Sequence, residues 1–257
     1  MSSAPEVCGL EATYFGANGW LLQFDQLRVL VDPWLTGTLE FPPGPWLFRG
    51  ELPRPWPAPE RLDLLLLTQG LPDHCHPASL ALLDPQLPVV ASPTAACRAR
   101  ELGFQQVTAL APGQSYSIQG LTILATAGAP VPQVENGYRL EHAAGSLYLE
   151  PHGYLDPSLA AEPLDAVITP VVDLGLPLAG AFVRGRQVLP QLLERLRPST
   201  VLASTAGGEV RFDGLLSRAL WQRGSAAEAA GAIAAVAEPA RFIDPIPGEP
   251  YRLTRPG

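Results

Sequence analysis

Lysine is absent from this chain of 257 residues: all 17 of its basic residues are arginines. Mechanisms that need a lysine amine, such as Schiff-base formation, are therefore excluded. The 25 acidic residues bring the net charge to −8, and the arginines are dispersed along the chain. Because the sequence has no basic stripe, we expect no nucleic-acid or anionic-membrane partner, and a small-molecule substrate or ligand instead.

Cysteine is scarce, and the three cysteines, Cys8, Cys75 and Cys97, are widely spaced with no CxxC pair. An odd number at this spacing does not form a disulfide framework, which indicates a reducing compartment. The first ten residues lack the features of a secretory signal, and no apolar run reaches the length of a membrane span. We therefore expect a cytoplasmic protein without a membrane span. The sequence carries no signature of an oligomeric state.

The stretch that carries the most chemistry is residues 62–76. An apolar run from Leu64 to Leu67 gives way to Asp73, His74 and His76, so two of the four histidines lie here. A buried strand that ends in a carboxylate and imidazoles places metal-ligand chemistry at a sheet edge, where open α/β folds bind ligands. The alternative interpretation is a polar loop that follows a core strand.

The periodicity and turn signals predict alternating strands and helices. An Asn18-Gly19 turn indicates a hairpin, because both residues tolerate positive φ. The predicted strands are 10–16, 20–24, 27–31, 62–68, 89–91, 106–110, 115–118, 121–126, 136–141, 146–150, 164–169 and 200–203. The predicted helices are 77–83, 93–102, 187–196 and 226–236.

Two halves, each a β-meander followed by α/β units, favour a layered α/β fold. We expect a four-layer αββα sandwich of two mixed β-sheets with helices on the outer faces. Residues 36–60 are rich in glycine, proline and aromatic side chains, which predicts an irregular loop. This segment is either a flap over a pocket, an arm on the protein's own surface or a subunit contact.

Three segments together resemble the metallo-β-lactamase-fold superfamily, in its branch of cytoplasmic metal-dependent hydrolases. Residues 13–19 and 29–35, with Asp32-Pro33-Trp34, look like the opening meander and its turn. Leu64 to His74 is similar to the strand that precedes an HxHxDH motif. Residues 121–128 and 147–153 resemble later strands that deliver ligands. The resemblance implies a single metallo-β-lactamase-like domain over residues 1–257, with a Pro/Trp-rich flap at 36–60.

The chain departs from the superfamily's ligand pattern at several positions. Gln69 and Leu71 stand where the pattern has histidines, and Ala129 stands where another histidine is expected. Ser204, Thr205 and Ala206 stand where the last one is expected. The resemblance therefore implies a degenerate metal site in which the first of two metals is lost.

Asp73 and His74 keep the second metal site of the superfamily pattern, so the resemblance implies that they are ligands and catalytic residues. The third ligand would be His152 or Glu150, with His76 as a further candidate. Asp32 and Gln69 would not contact the metal themselves but would orient the residues that do. The implied cofactor is one divalent ion, zinc first, with manganese or iron as alternatives, or no metal at all.

Three functional hypotheses remain open at this point. The first is a single-metal hydrolase that cleaves an ester, lactone or phosphoester with metal-activated water. The second is a catalytically inactive descendant of the fold that binds a small molecule or a protein. The third is metal-free hydrolysis, with His74 or His152 as general base, Glu150 orienting it and Cys75 as the candidate nucleophile.

Overall fold

Two seven-stranded β-sheets form the centre of the computed structural model, which describes residues 9–131, 133, 135–177, 179–205, 207–236 and 240–253. Strands β1 to β10 are Leu10–Gly16, Gly19–Phe24, Leu27–Val31, Thr38–Glu40, Arg49–Glu51, Leu64–Leu67, Val89–Ala91, Val107–Ala109, Ser115–Ile118 and Leu121–Ala127. Strands β11 to β20 are Asn136–His142, Gly145–Leu149, Ala166–Pro170, Asp173–Leu176, Gly180–Arg184, Thr200–Ser204, Arg211–Asp213, Trp221–Arg223, Arg241–Ile243 and Pro250–Arg252. Helices α1 to α4 are Pro77–Leu80, Pro93–Glu101, Gly185–Leu196 and Ala226–Ala234.

The first sheet has the order β20-β1-β2-β3-β6-β7-β8. Its first part is an antiparallel meander, and β3, β6, β7 and β8 run parallel. The second sheet has the order β19-β16-β13-β12-β11-β10-β9. Strands β12, β13, β16 and β19 are parallel, while β9 to β12 pair antiparallel. Both sheets are therefore mixed, as the sequence predicts.

The main hydrophobic core lies between the two sheets and contains side chains from both, including Trp20, Leu22, Ile123 and Tyr138. Alternate residues of β2 and β10 point inward because successive side chains of a strand face opposite sides. Separate apolar clusters lie on the outer faces, under α2 on the first sheet and under α3 and α4 on the second. The predicted four-layer αββα sandwich is confirmed.

The flap over residues 36–60 differs from the irregular loop that its proline content predicts. It contains β4 and β5, which pair antiparallel, and β17 adds a third strand to this small sheet. Phe48 stacks on Phe212 with ring centroids 5.2 Å apart, and Phe41 packs on Phe48. These aromatic contacts hold together strands of three residues, which are too short to be recognised from sequence periodicity.

A second small sheet, of order β15-β14-β18, was also not predicted, because its strands are only three to five residues long. The last two short strands, β19 and β20, extend the two large sheets beyond the predicted elements. None of the helices in the described ranges is long and apolar enough to cross a membrane.

Two glycines in helices provide a matched test of this packing. A Cβ on Gly185, at the start of α3, would lie 2.1 Å from the carbonyl oxygen of Pro170, whereas a Cβ on Gly231 in α4 would meet nothing within 4 Å. We expect Gly185→Ala to lower the free energy of unfolding by about 2 kcal/mol or more, as overpacking does. Gly231→Ala should raise it by about 1 kcal/mol because alanine favours helix. Urea unfolding measures both, and equal effects of the two substitutions would contradict the packing described here.

Candidate metal centre

Polar residues from both sheets meet at one edge of the sandwich. Asp32 follows β3, Gln69 follows β6, His152 follows β12, and Thr205 follows β16. These parallel strands end at the same side of their sheets, so their carboxyl ends lie together, as in other open α/β structures. Backbone hydrogen bonds join the sheets there, from Asn136 N to Thr68 O (3.0 Å) and from Thr205 N to Ala17 O (3.0 Å).

His74 is fully buried and held by a network from β3 and β6. Its Nδ1 lies 2.8 Å from Asp32 Oδ2 and 2.9 Å from the Thr68 hydroxyl, and Thr68 donates its N–H and O–H to Asp32. Burial lowers the pKa of His74, but the carboxylates of Asp73 and Asp32 outweigh it and hold the pKa well above 6.5. Because Asp32 engages Nδ1, the Nε2 atom of His74 is the one directed to the site.

Asp73 lies on the Nε2 side of the same imidazole, with Oδ2 3.2 Å from His74 Nε2. The residue is partly exposed, yet its Oδ1 is buried and has no hydrogen-bond partner among the described residues. Burial raises the pKa of Asp73, but the attraction of His74 and His152 outweighs it and leaves the pKa below its ordinary value. Asp73 is therefore a carboxylate with one oxygen free to bind a ligand.

His152 lies opposite His74, with ring centroids 5.3 Å apart. Its Nδ1 is 2.5 Å from Glu135 Oε2, and Glu135 also accepts hydrogen bonds from Gln69 Nε2 (3.3 Å) and from Ala129 N (3.3 Å). Both His152 and Glu135 are buried. The structure thus brings the two predicted histidines together and adds a glutamate that precedes β11.

His74, Glu135 and His152 form a group in which one ligand atom from each lies within 4.8 Å of the others. Close to it, Gln69 Oε1 is buried and, within the described ranges, has no hydrogen-bond partner. Unpartnered buried polar atoms are uncommon and call for an explanation such as an ion or water. A cation bound by this group would attract the free oxygens of Gln69 and Asp73, so the residues fit a metal ion.

Charge balance at the edge also favours a cation. Asp32, Glu135 and Glu150 are buried, and Asp73 is partly buried. Among the described residues, the groups that form ion pairs with these four carboxyl groups are the imidazoles of His74 and His152. No arginine in the described part of the chain pairs with any of the four. Buried charges require compensation by a partner, a proton or a metal.

Glu150 does not join the group, although the sequence suggests it as a ligand. Its Oε1 accepts from the Thr169 hydroxyl (2.5 Å), and its Oε2 accepts from the N–H groups of His152 (3.2 Å) and Tyr154 (2.8 Å). Burial raises the pKa of Glu150 to about 7, against the opposing effect of these hydrogen bonds. Both oxygens are occupied, so Glu150 orients the loop that carries His152.

His76 also lies outside the group, since both of its ring nitrogens are engaged elsewhere. It is the N-cap of α1, where Nδ1 accepts from Ser79 N (3.3 Å), and its Nε2 lies 3.1 Å from Thr38 O in the flap. Burial lowers the pKa of His76, which suits a neutral imidazole. His76 therefore caps helix α1 and fastens the flap, and it does not lie among the candidate ligands.

The chain matches the Beta-lactamase superfamily domain over residues 11–204. The protein belongs to the β-lactamase superfamily. A comparison with curated proteins found no significant match.

Solved structures resemble the chain at low identity. An isothiocyanate hydrolase from Delia radicum gut bacteria has a TM-score of 0.68 at 16% identity, with 95% of this chain and 99% of that chain covered. Igni18, a metallo hydrolase from the archaeon Ignicoccus hospitalis, has a TM-score of 0.65 at 16% identity, with coverage of 94% and 97%. CmlA, a diiron β-hydroxylase from Streptomyces venezuelae, has a TM-score of 0.59 at 20% identity, with coverage of 80% and 46%. These likenesses establish the fold.

The structure shows the surroundings of the residues that stand where the superfamily pattern leads us to expect histidines. Glu135 lies against Ala129, whose N–H binds its carboxylate, and Gln69 contacts the same carboxylate. Leu71 accepts backbone hydrogen bonds in the turn that presents His74. Thr205 donates to Asn18 Oδ1 (3.2 Å), and Asn18 Nδ2 lies 3.3 Å from His74 Nε2. Ala206 lies outside the described residues.

Glu135 and Asn18 are the site residues that sequence reasoning missed. Glu135 lies in the loop that connects β10 to β11 and directly precedes β11. This position next to a predicted strand was the available signal. For Asn18 it was the hairpin turn itself, which brings the side chain to the same edge.

Cys75 is buried, and burial raises the pKa of its thiol to about 12, which disfavours the nucleophilic thiolate.

We expect iodoacetamide at about pH 8 to alkylate the exposed Cys97 in the native protein and to leave Cys75 unmodified. Peptide mapping by mass spectrometry, with a urea-unfolded sample in which both react as control, measures this. Native labelling of Cys75 at the rate of Cys97 would restore it as a nucleophile.

Proposed function

We propose that the protein is a metal-dependent hydrolase in which His74, Glu135 and His152 hold one divalent ion. The observation that carries the proposal is the close approach of these three buried side chains at the strand ends. Two imidazoles and one carboxylate form a ligand set of catalytic zinc sites, which keep a further position open for water or substrate. The same set also suits iron, so zinc is the first expectation and iron or manganese the alternatives.

The bound ion would supply Lewis acidity and lower the pKa of a coordinated water. The residues around it have separate roles. Asp32 and Thr68 hold the imidazole of His74 in one orientation, as carboxylates behind metal ligands do. Gln69 holds Glu135 in the same way, through its amide nitrogen.

Asp73 is assigned to proton transfer. It was expected among the ligands, but it lies beside His74 and outside the group of three. Its buried Oδ1 is unpartnered within the described chain, so this oxygen is placed to accept a hydrogen bond and then a proton from the attacking water. The substrate would be an ester, a lactone or a phosphoester, because each has an electrophilic centre that activated water attacks.

A catalytically inactive binding protein is the second candidate, and one observation favours it. His74 pairs with Asp32 and Asp73, and His152 pairs with Glu135, so the imidazoles have partners without any ion. Buried polar groups that satisfy one another can persist as a structural unit. In that case the edge would bind a small molecule or a protein without turnover.

Metal content separates the two candidates. Protein purified without chelator should contain about one divalent ion per chain by elemental analysis, because the group offers one ligand set. His152→Ala and Glu135→Ala should each lower the zinc affinity by about tenfold or more, since each removes a ligand.

His142→Ala is the matched control for metal content. His142 lies at the far end of β11, where its Nδ1 accepts from Ala144 N (3.0 Å), so its loss should leave the metal content unchanged. His76→Ala should also leave it unchanged. A metal-free protein whose melting temperature does not respond to zinc, manganese or iron would contradict the hydrolase proposal.

Turnover tests the role of Asp73. With a panel of p-nitrophenyl acetate, an acyl lactone and bis-p-nitrophenyl phosphate, the zinc-loaded protein should hydrolyse at least one compound faster than the metal-free protein. Asp73→Asn should lower kcat by about 100-fold or more, because an amide cannot accept the proton. A variant that keeps full kcat with normal metal content would remove Asp73 from the mechanism.

A further inference from the structure

A cavity of about 350 Å³ opens beside the metal-ligand group, at the ends of β13, β16 and β19. Its buried apolar surface comes from Val171, Val172 and Ala203, and Ile246 and Pro247 add apolar surface closer to solvent. Its volume lies in the range of small-molecule pockets, and its place at strand ends is where α/β folds bind ligands.

The cavity and the metal-ligand group share a wall. Ser204 lines the cavity, and the hydroxyl oxygen of the next residue, Thr205, lies 3.2 Å from Asn18 Oδ1 and 2.8 Å from Pro151 O. Asn18 Nδ2 lies 3.3 Å from His74 Nε2, and Pro151 directly precedes His152. Thr205 and Asn18 therefore stand between this cavity and His74.

The charged side chains that line the cavity are both carboxylates. Glu209 and Asp244 contribute carboxylates, and Gln222 and Ser204 contribute an amide and a hydroxyl. No arginine occurs among the described residues that line it, and the chain has no lysine. Opposite charges a few ångströms apart attract and like charges repel, so such a lining favours a cation and disfavours an anion.

We propose that this cavity binds a small organic amine, with the ammonium group against Asp244 and Glu209 and an apolar body on Val171 and Val172. Neutral apolar lining with a few convergent polar groups is the usual composition of a small-molecule site. The cavity is separate from the metal-ligand group, because Thr205 and Asn18 stand between them. The proposal therefore goes beyond the proposed function and adds a second binding site for a cationic ligand.

The test uses a pair of probes of similar shape and opposite charge, 4-phenylbutylamine and 4-phenylbutyrate. Isothermal titration calorimetry is done on metal-free protein at low ionic strength, because salt screens exposed charges. The amine should bind at least about tenfold more tightly than the carboxylate, and Asp244→Asn should weaken amine binding by about tenfold. Glu194→Gln, which removes an exposed carboxylate from α3 away from the cavity, should leave the affinity unchanged.

Equal affinity for the two probes, no measurable binding of the amine, or an unchanged affinity in Asp244→Asn would each overturn the proposal. Thermal melting of the variants verifies that they are folded, and a Glu209→Gln variant provides a second substitution at the same cavity. Because the titration needs no metal, its failure is distinguishable from failure of the metal site, which shows in the elemental analysis.

Discussion

Compensation of buried negative charge is the constraint around which this structure is arranged. Asp32, Glu135 and Glu150 are buried within a few residues of the same strand ends, and the chain offers no lysine to pair with them. An isolated buried carboxylate is too costly to persist, so each needs a hydrogen-bond donor, a proton or a cation. Glu150 obtains N–H and O–H donors, whereas Asp32 and Glu135 each obtain an imidazole.

The sandwich makes this arrangement possible because it brings the ends of two sheets together. The first sheet provides Asp32 and the loop with Asp73 and His74, and the second provides Glu135 and His152. Hydrophobic side chains between the sheets fix their spacing. The imidazoles of His74 and His152 consequently face each other across the interface between the sheets. The candidate ligand group therefore contains side chains from both halves of the chain.

The proposed metal site would differ from the superfamily pattern at the positions where further imidazoles are expected. Gln69, Leu71 and Ala129 stand at three positions where the pattern has imidazoles, and residues 204–206 contain no histidine at the fourth. Glu135 reaches the space beside Ala129, and His152 supplies an imidazole from the end of β12. A group assembled from these residues holds fewer nitrogen donors, which favours a single ion over a pair.

The large sheets and the helices could be predicted because strands and helices have periodic patterns of apolar residues. The Asn18-Gly19 turn and the prolines that start helices are signals contained within a few consecutive residues, so they could also be recognised. Sequence reasoning placed Asp32, Asp73 and His74 at one edge for the same reason. It missed Glu135, whose role depends on a hairpin that folds back onto Gln69 over 66 positions of sequence. It offered His76 as a ligand although Pro77 follows it, and proline at the first turn of a helix marks the preceding residue as a cap.

The short strands of the flap lie beyond such reasoning, since three residues show no period and their stability comes from aromatic contacts between distant segments. The flap is nevertheless connected to the segment of residues 68–76, which follows β6, through the contact between His76 and Thr38. His76, which the sequence offered as a ligand, therefore links the flap to the loop that carries Asp73 and His74.

Anomalous X-ray diffraction from a zinc-loaded crystal would locate the proposed ion. One peak is expected, bounded by His74, Glu135 and His152, with ligand atoms about 2.0–2.2 Å from it. Zinc bound at His76, or a crystal with no peak between the two imidazoles and with the pairing of His152 and Glu135 intact, would contradict this expectation.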